Sequence, residues 1–245
     1  MTDSNAANTF HAPERILLGP GPSNMPASVA QALAMPVIGH LDPAFLHVMD
    51  EVQDMLRYVF QTKNRLTIPV PGTGSAGMEA ALANFIEPGD RVLIGVIGYF
   101  GDRMVDMAGR YGATIDKIEV PWGQVLDLEM VKEALGKQKY KLLAIVHGET
   151  SSGALQPDIA ALAAAAHEHD ALFVLDTVAT LGGVPVETDA WDVDVAFSGS
   201  QKALSASPGL APISVGARAE EVLSKRKTQV GTWYLSLREV QKYWG

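Results

Sequence analysis

The sequence predicts an α/β fold built on a mostly parallel β-sheet that is flanked by helices. Strand patterns alternate along the chain with helix patterns of about ten residues, which is typical of βαβ units. Several strand segments are nearly continuous apolar runs, as expected for strands that are buried on both faces. The chain has 245 residues, of which 47% are hydrophobic, and this is enough for one large domain.

The chain begins with a polar segment, a turn and an amphipathic helix. Residues 1–12 are polar and show no periodicity, so we expect a mobile N-terminal arm. The segment ILLGPGPSNMP, residues 16–26, changes from apolar residues to Gly and Pro, which predicts a rigid turn with few side chains. Between Pro43 and Phe60 apolar residues recur every three or four positions, which predicts an amphipathic helix.

Strands and helices are then predicted in alternation. Apolar and β-branched runs predict the strands, and apolar residues three or four positions apart predict the helices. The predicted strands are residues 65–70, 91–96, 113–120, 141–147, 171–176 and 192–198. The predicted helices are residues 76–86, 102–111, 127–135 and 158–169. Because parallel sheets bind ligands at the carboxyl ends of their strands, we expect the functional residues at these ends.

Composition and charge exclude several classes of protein. The absence of cysteine excludes a disulfide scaffold, an iron–sulfur protein, cysteine-bound zinc and a thiol nucleophile within these residues. A formal net charge of −9 argues against nucleic acid or an anionic membrane as the main partner. No apolar run reaches the roughly 18–20 residues that span a bilayer, and no secretory signal is recognisable. We therefore expect a soluble, cytoplasmic protein, and no metal site is predicted.

A glycine-rich turn, PGTGSAG at residues 71–77, connects a predicted strand to a predicted helix. Glycines let the backbone approach a ligand, and the N-terminus of a helix offers free N–H groups to an anion. Thr73 and Ser75 can add hydroxyl donors. The turn is not a Walker loop, because no Gly-Lys-Ser/Thr follows. A turn closed by an N-cap serine, without any ligand, is an alternative interpretation.

Three further strand ends carry polar residues. Asp176 closes the apolar run ALFVLD, either as a site residue or as an N-cap for the next segment. The segment HGETSSG, residues 147–153, supplies hydroxyls and small residues after another strand. Lys202 follows the last predicted strand in SGSQK, and lysine avoids burial unless it is paired or functional. A desolvated lysine loses its proton more easily and can form a Schiff base.

These features together meet the requirements of pyridoxal 5'-phosphate (PLP). The phosphate of this cofactor needs a site such as a helix N-terminus, its ring nitrogen needs a carboxylate, and its aldehyde needs a lysine. The glycine-rich turn, Asp176 and Lys202 should meet at one edge of the sheet, because the carboxyl ends of parallel strands lie together. The sequence therefore predicts PLP as the cofactor.

Seven segments spread over most of the chain match one family pattern. They are LLGPGPSN (17–24), YVFQTKN (58–64), GTGSAGMEAAL (72–82), EPGDRVLIG (87–95), HGETSSGALQP (147–157), LDTVATLGG (175–183) and SGSQKAL (198–204). In these segments the chain resembles the class V, fold-type I PLP-dependent aminotransferases of the alanine–glyoxylate and serine–glyoxylate (serine–pyruvate) branch. The resemblance implies the large domain of such enzymes, with three α/β/α layers. It also implies amino-group transfer from alanine or serine to glyoxylate or pyruvate.

The resemblance assigns five residues to the ring of the cofactor. Lys202 is implied as the Schiff-base lysine that also moves the substrate proton, and Asp176 as the partner of the ring nitrogen. Val178 would pack on one face of the ring. Phe100 would stack on the other face, where many relatives have tryptophan. Thr150 would approach the ring hydroxyl.

The resemblance assigns the phosphate to Thr73, Gly74, Ser75 and Gln201. It places Gly21, in the Gly-Pro turn, beside the substrate, where the lack of a side chain leaves room for a small amino acid. These assignments complete the predicted site.

The resemblance also predicts a domain organisation. We expect an N-terminal arm at 1–15, a PLP-binding large domain at 16–225, and the start of a connection to a C-terminal domain at 226–245. Family members continue beyond the position of Gly245 into that domain, which carries the arginine for the substrate carboxylate. It also carries a tyrosine and a threonine that reach the phosphate of the neighbouring subunit. We therefore expect the chain to lack this arginine and the longer protein to be a homodimer.

Two alternative functions stay open at this point. One is another class V activity, such as that of a phosphonate aminotransferase or a cysteine desulfurase. Desulfurases tend to have histidine where this chain has Gln201 and Phe100, which argues against that activity. The other alternative is a truncated domain that holds PLP and turns nothing over.

Overall fold

A seven-stranded β-sheet is the central element of the computed structural model, which describes residues 13–244. Of the arm predicted for residues 1–15, residues 1–12 therefore lie outside the described residues. The strands are β1 Leu66–Gly72, β2 Arg91–Val96, β3 Thr114–Glu119, β4 Leu142–Val146, β5 Gly148–Glu149, β6 Ala154–Leu155, β7 Leu172–Asp176, β8 Val195–Phe197 and β9 Gly209–Val215. The helices are α1 Ala27–Leu33, α2 Pro43–Phe60, α3 Gly74–Phe85, α4 Tyr99–Arg110, α5 Leu128–Leu135, α6 Ile159–Glu168, α7 Ala217–Ser224 and α8 Leu237–Val240, followed by a 3₁₀ turn at Gln241–Tyr243.

The sheet is mostly parallel, as the sequence predicts. Its strand order is β1-β9-β8-β7-β4-β2-β3, while β5 and β6 form a separate small hairpin. The pairs β2–β3, β2–β4, β4–β7 and β7–β8 are parallel. The register pairs Asp176 with Val146 on one side and with Phe197 on the other. The carboxyl ends of β4, β7 and β8 consequently lie side by side.

One central strand, β9, was not expected from the sequence. It runs antiparallel to both β1 and β8. Gly209 and Pro212 argue against a central strand, because proline cannot donate to the ladder and glycine weakens it. The strand is nevertheless well buried, since Ile213 and Val215 are fully enclosed. The Pro212 carbonyl still accepts a hydrogen bond from the Ser198 N–H at 2.8 Å.

Both faces of the sheet are covered, which produces the three layers. Along β4, Leu142, Ala144 and Val146 pack into one hydrophobic cluster, while Leu143 and Ile145 pack into the other. Helices α3, α4 and α7 contribute to the first cluster, and α5 and α6 contribute to the second. Alternate residues of one strand therefore serve opposite layers, which explains the continuous apolar runs in the sequence.

Helix α2 begins and ends at the predicted residues. The Asp42 carboxylate caps it by accepting from the Ala44 N–H at 2.8 Å, and Pro43 occupies its first turn. Much of its apolar side remains exposed, however, and Met55 is 58% exposed. Helix formation and burial are thus separate properties of this segment. Within residues 13–244, no helix combines the length and apolar content that crossing a membrane requires.

Candidate active site

A cavity of about 210 Å³ lies at the carboxyl edge of the sheet, where β4 and β7 end and α3 and α4 begin. All nine residues that the family resemblance assigns to the cofactor line this cavity. The lining residues are Thr73, Gly74, Ser75, Phe100, Arg103, Val146, Gly148, Thr150, Asp176, Val178, Ala179, Gln201 and Lys202. The structure thus brings together residues that are distant in the chain.

The start of α3 forms one wall of this cavity. The N–H groups of Ala76 and Gly77 donate to the Thr73 carbonyl at 2.7 and 3.3 Å, so the helical ladder begins there. The N–H groups of Gly74 and Ser75 precede that ladder and are available to an anion. Thr73 is the N-cap residue, but its side chain makes no capping hydrogen bond. This geometry supports a ligand-binding turn rather than a turn closed by an N-cap serine.

Two close approaches leave no room for larger residues at this wall. A Cβ atom on Gly74 would lie 2.8 Å from Val178 Cγ2. A Cβ atom on Gly199 would lie 2.9 Å from Gln201 Oε1. The glycines therefore allow the α3 turn, the Val178 side chain and the Gln201 loop to meet at one place.

The amide of Gln201 has an unsatisfied atom in the cavity wall. Its Oε1 is buried, and no donor within residues 13–244 reaches it. A buried polar atom without a partner costs about 1–3 kcal/mol, so the amide is suited to a bound polar group. Rotation of the amide exchanges its oxygen and nitrogen, so the same side chain can present a donor to an anion.

Asp176 is the buried carboxylate of the site and is only 3% exposed. Its Oδ1 accepts from the Val178 N–H at 2.8 Å, so the alternative capping role is met in part. Burial raises the pKa of Asp176 to about 7, and the nearby Glu149 carboxylate acts in the same direction. The Val178 N–H and the charges of Arg103 and Lys202 oppose this rise in pKa. A cationic N–H in the cavity would stabilise the ionised carboxylate, which matches a protonated pyridine ring.

Lys202 lies five residues after the end of β8 and not directly after the strand, as the sequence suggested. Its Nζ donates to the Pro20 carbonyl at 2.9 Å. The following residue, Gly21, has a φ of +108°, and a Cβ atom there would lie 2.4 Å from Lys202 Cδ. Gly21 is thus placed against the lysine side chain, at the position where the sequence predicts a small substrate.

Ser23 ties the Gly-Pro turn to the lysine loop, and sequence reasoning missed it. Its N–H donates to the Gln201 carbonyl at 2.9 Å, and its hydroxyl donates to the Lys202 carbonyl at 2.8 Å. The motif LLGPGPSN contains this serine, but the contact depends on a partner about 180 residues away. Sequence spacing carries no signal for such a contact.

Glu149 is a second residue that the sequence did not single out. It is a buried carboxylate, only 1% exposed, at the end of the hairpin strand β5. Its Oε2 accepts from the Phe100 N–H at 2.9 Å, and its Oε1 accepts from the Ser151 hydroxyl at 2.6 Å. Gly98 permits this approach, because a Cβ atom there would lie 2.5 Å from Glu149 Cγ. Glu149 therefore fixes the first turn of α4, which presents Phe100 to the cavity.

Arg103 is the third missed residue and also lines the cavity. The sequence predicted a helix from residue 102, whereas α4 begins at Tyr99. That error of almost one turn concealed the spacing of Phe100 and Arg103, which lie three residues apart on one helix face. A correct helix start would have indicated that both side chains point the same way.

His147 belongs to a predicted strand end but does not line the cavity. Its neighbours Val146 and Gly148 line it, because successive side chains of an extended segment alternate between faces. The Nδ1 of His147 lies 3.0 Å from the Thr180 hydroxyl, and burial lowers the pKa of His147 to about 4. The imidazole is therefore neutral at physiological pH and packs behind the site.

A family model described as "Aminotransferase class-V" matches residues 17–243. The chain is 42% identical, over 96% of its length, to an alanine–glyoxylate aminotransferase of Drosophila melanogaster. It is 45% identical, over 88% of its length, to an (S)-ureidoglycine–glyoxylate transaminase of Bacillus subtilis. The chain spans 60% of the first relative's length and 51% of the second's.

Solved structures show the same similarity. The crystal structure of an alanine–glyoxylate aminotransferase from Nostoc sp. superposes with a TM-score of 0.95 and 54% sequence identity. That comparison covers 97% of this chain and 63% of the Nostoc chain. A ureidoglycine–glyoxylate aminotransferase from Bacillus subtilis superposes with a TM-score of 0.94 and 42% identity.

Proposed function

Because the chain belongs to the class V aminotransferases, we propose that it forms the cofactor-binding part of an enzyme that transfers an amino group to glyoxylate or a similar 2-oxo acid. The donor in this proposal is a small amino acid, alanine or serine. The convergence of the α3 N-terminus, Asp176 and Lys202 on one cavity carries the proposal. The names of the relatives with 42% and 45% identity support glyoxylate as the acceptor.

The family implies PLP, and the residues of the cavity fit it. When bound, PLP supplies an electron sink for removal of the substrate α-proton. We propose that the start of α3, with Thr73 and Ser75, holds the phosphate together with the Gln201 amide. The unsatisfied Oε1 of Gln201 supports this assignment. In this proposal the start of α3 binds the anion through backbone N–H groups and neutral hydroxyls.

The ring would lie between Val178 and Phe100, with Thr150 at its edge. Val178 lines the cavity from the loop after β7, and Phe100 lines it from the first turn of α4. Asp176 would hold the proton on the ring nitrogen, because burial raises the pKa of its carboxyl group and a cationic N–H beside it would stabilise the ionised form. A charge-assisted hydrogen bond of this kind is short and strong.

Lys202 is the base in this proposal. Its Nζ reaches the cavity from the loop after β8 and rests on the Pro20 carbonyl in this structure. In its neutral form the amine would take the α-proton from the substrate and return it at a different carbon. Gly21 has no side chain and packs against the lysine, so it would leave room for a small substrate beside Nζ. The donor would leave as a 2-oxo acid before the acceptor enters, which is a ping-pong sequence.

Several finer points belong to the proposal alone. An arginine in the part of the family pattern that this chain does not span is proposed to bind the substrate carboxylate. Homodimeric assembly, a cytoplasmic location and the serine–pyruvate reaction stay predictions, as do the domain boundaries at residues 15 and 225. A desulfurase activity is not favoured, because the relatives with 42% and 45% identity are transaminases.

The test begins with cofactor attachment. The purified chain is titrated with PLP, reduced with borohydride and mapped by peptide mass, and we expect the adduct on Lys202. Lys202→Ala should remove the visible absorbance band, whereas Lys225→Ala, at an exposed lysine that pairs with Glu221, should not. An adduct on Lys225 or Lys227 would refute the assignment.

A second measurement separates an enzyme from a non-catalytic domain. A protein that spans the whole family pattern is mixed with alanine in the absence of acceptor, and the loss of the visible band is followed. Conversion followed by recovery on adding glyoxylate supports transamination. Attachment at Lys202 without any conversion would favour the alternative of a domain that only holds PLP.

A further inference from the structure

The side chain of Arg103 enters the proposed cofactor cavity from α4. Its Nη1 donates to the Ser75 hydroxyl oxygen at 2.8 Å. Its guanidinium carbon lies 4.7 Å from the centre of the Phe100 ring and 5.1 Å from that of the Tyr99 ring. Arg103 therefore contacts a residue assigned to the phosphate and a residue assigned to the ring.

Arg103 supplies positive charge that an anion in the cavity requires. Among the described residues, the charged side chains in its lining are Asp176, Lys202 and Arg103. A phosphate monoester carries about −1.5 to −2 charges at pH 7. Thr73, Ser75 and Gln201 are neutral, and a helix N-terminus supplies only about half a charge. Lys202 is committed to the chemistry in the proposed function, so Arg103 is the remaining full positive charge.

We infer that Arg103 is a positioning residue for the phosphate of the cofactor, acting through the Ser75 hydroxyl and through its own charge. The inference rests on the proposed function, in which the cavity binds PLP. A serine hydroxyl has one hydrogen to donate and two lone pairs that accept. Because the guanidinium occupies a lone pair of Ser75, the hydroxyl hydrogen remains directed to another acceptor. An anion at the start of α3 would be that acceptor.

Arg103 is oriented before any ligand binds. The Glu149 carboxylate fixes the first turn of α4 through the Phe100 N–H at 2.9 Å, and Arg103 follows three residues later. The rings of Tyr99 and Phe100 then hold the planar guanidinium by cation–π contacts. A donor that is already held in place loses less conformational entropy when its ligand arrives.

The test compares PLP with pyridoxal, which lacks the phosphate, in spectroscopic titrations of the same protein. Arg103→Gln should weaken PLP binding by about 10- to 100-fold, because a hydrogen bond and a charge are lost from an anionic partner. Pyridoxal binding should change less than about twofold, a change too small to reflect a lost hydrogen bond. Arg103→Lys should give an intermediate loss, since it keeps the charge without the planar fork.

Arg110→Gln is the matched control, because Arg110 lies on the same helix, is exposed, and pairs with Asp106 at 3.0 Å outside the cavity. It removes the same net charge and should change neither affinity. In ³¹P NMR the bound phosphate of Arg103→Gln should ionise at a higher pH than in the unaltered protein, since a nearby cation favours the dianion. A purely structural role would not move that midpoint.

The possible outcomes distinguish a failure of this inference from a failure of the proposed function. Equal losses for PLP and pyridoxal would overturn the inference and indicate that Arg103 only stabilises α4. Unchanged PLP affinity in Arg103→Gln would overturn it as well. If the unaltered protein bound no PLP at Lys202, the proposed function itself would fail. A phosphate-specific loss in Arg103→Gln, absent from Arg110→Gln, supports the inference.

Discussion

In the central sheet, Ile68, Val174 and Phe197 are fully buried, whereas Met55 and Tyr58, both on α2, are 58% and 77% exposed. Both regions contain the apolar patterns from which the sequence predicts regular structure. In the sheet the chain covers these side chains with its own helices, while around α2 it leaves them in contact with solvent. Large exposed apolar surfaces are typical of contacts with another domain or protein.

The comparison shows which parts of the proposed site the chain encloses with its own strands and helices. The walls of the cavity come from the strand ends of the sheet, from the loops after β5, β7 and β8, and from α3 and α4, and the sheet and these two helices are packed together within the chain. Among residues 13–244, the Gly-Pro turn around Gly21 links the exposed N-terminal region to the site by packing against Lys202, which lines the cavity. Substitutions at the cavity should therefore change chemistry, and substitutions on the exposed side of α2 should not.

The largest effect is expected at Asp176. In a protein that spans the family pattern, Asp176→Asn should slow α-proton removal at least about 100-fold with PLP still bound, because asparagine carries no charge to hold the ring proton. Asp54→Asn is the control from the exposed region, where Asp54 pairs with Arg57 at 2.7 Å and is 78% exposed. Stopped-flow half-reactions measure both variants. An unchanged rate in Asp176→Asn would reduce Asp176 to a cap of the Val178 N–H.

A second effect, on stability and not on a rate, tests the two regions directly. Phe173→Ala should lower the free energy of unfolding by about 3–5 kcal/mol, because Phe173 is fully buried in β7 and truncation leaves a cavity. Tyr58→Ala should lower it by less than about 0.5 kcal/mol in the isolated chain. Urea unfolding followed by circular dichroism gives both values. A large loss in Tyr58→Ala would mean that the apolar side of α2 is covered in solution.

The smallest effect is expected where the two regions meet. Gly21→Ala should slow PLP attachment about tenfold, because alanine is strained at a φ of +108° and its Cβ would displace Lys202. Gly19→Ala is the matched control, since a Cβ atom on Gly19 has no heavy atom within 4 Å among those described. Rates of appearance of the visible band compare the two. Equal rates would show that the turn moves freely away from the lysine.

Much of the sheet could be predicted, because burial on both faces leaves a strong apolar signal. Strand β2 matches residues 91–96 without error, and α2 matches its predicted range. Strand β9 was missed because Pro212 and Gly209 hide a buried strand that is stabilised by its neighbours on both sides. Helices α1, α7 and α8 were not predicted either. They are short, and their apolar residues are too few for a clear period.

For the site, the sequence indicated the residues that lie in motifs and missed those that act through contacts. Thr73 lies in a glycine-rich turn, Asp176 ends a strand and Lys202 lies in the short loop after a strand, and the local sequence pattern indicates all three. The side chains of Ser23 and Glu149 form hydrogen bonds with backbone groups of segments that are distant in the chain. The spacing of residues in the sequence does not predict such contacts. The roles of all these residues stay predictions until the variants are measured.

The position of β9 also determines when the cavity can form during synthesis. Strand β1 lies at the edge of the sheet, and its pairing with β9 joins Leu66 to Val215, a separation of about 150 residues. At a translation rate of about 5–20 residues per second, the ribosome needs roughly 7–30 s to make that stretch. The start of α3 also rests on β9, since a Cβ atom on Gly77 would lie 3.2 Å from Ala211 Cβ. In the nascent chain the parallel strands β2, β3, β4, β7 and β8 can pair with one another first, and the glycine-rich turn at the start of α3 acquires its support only after β9 has emerged.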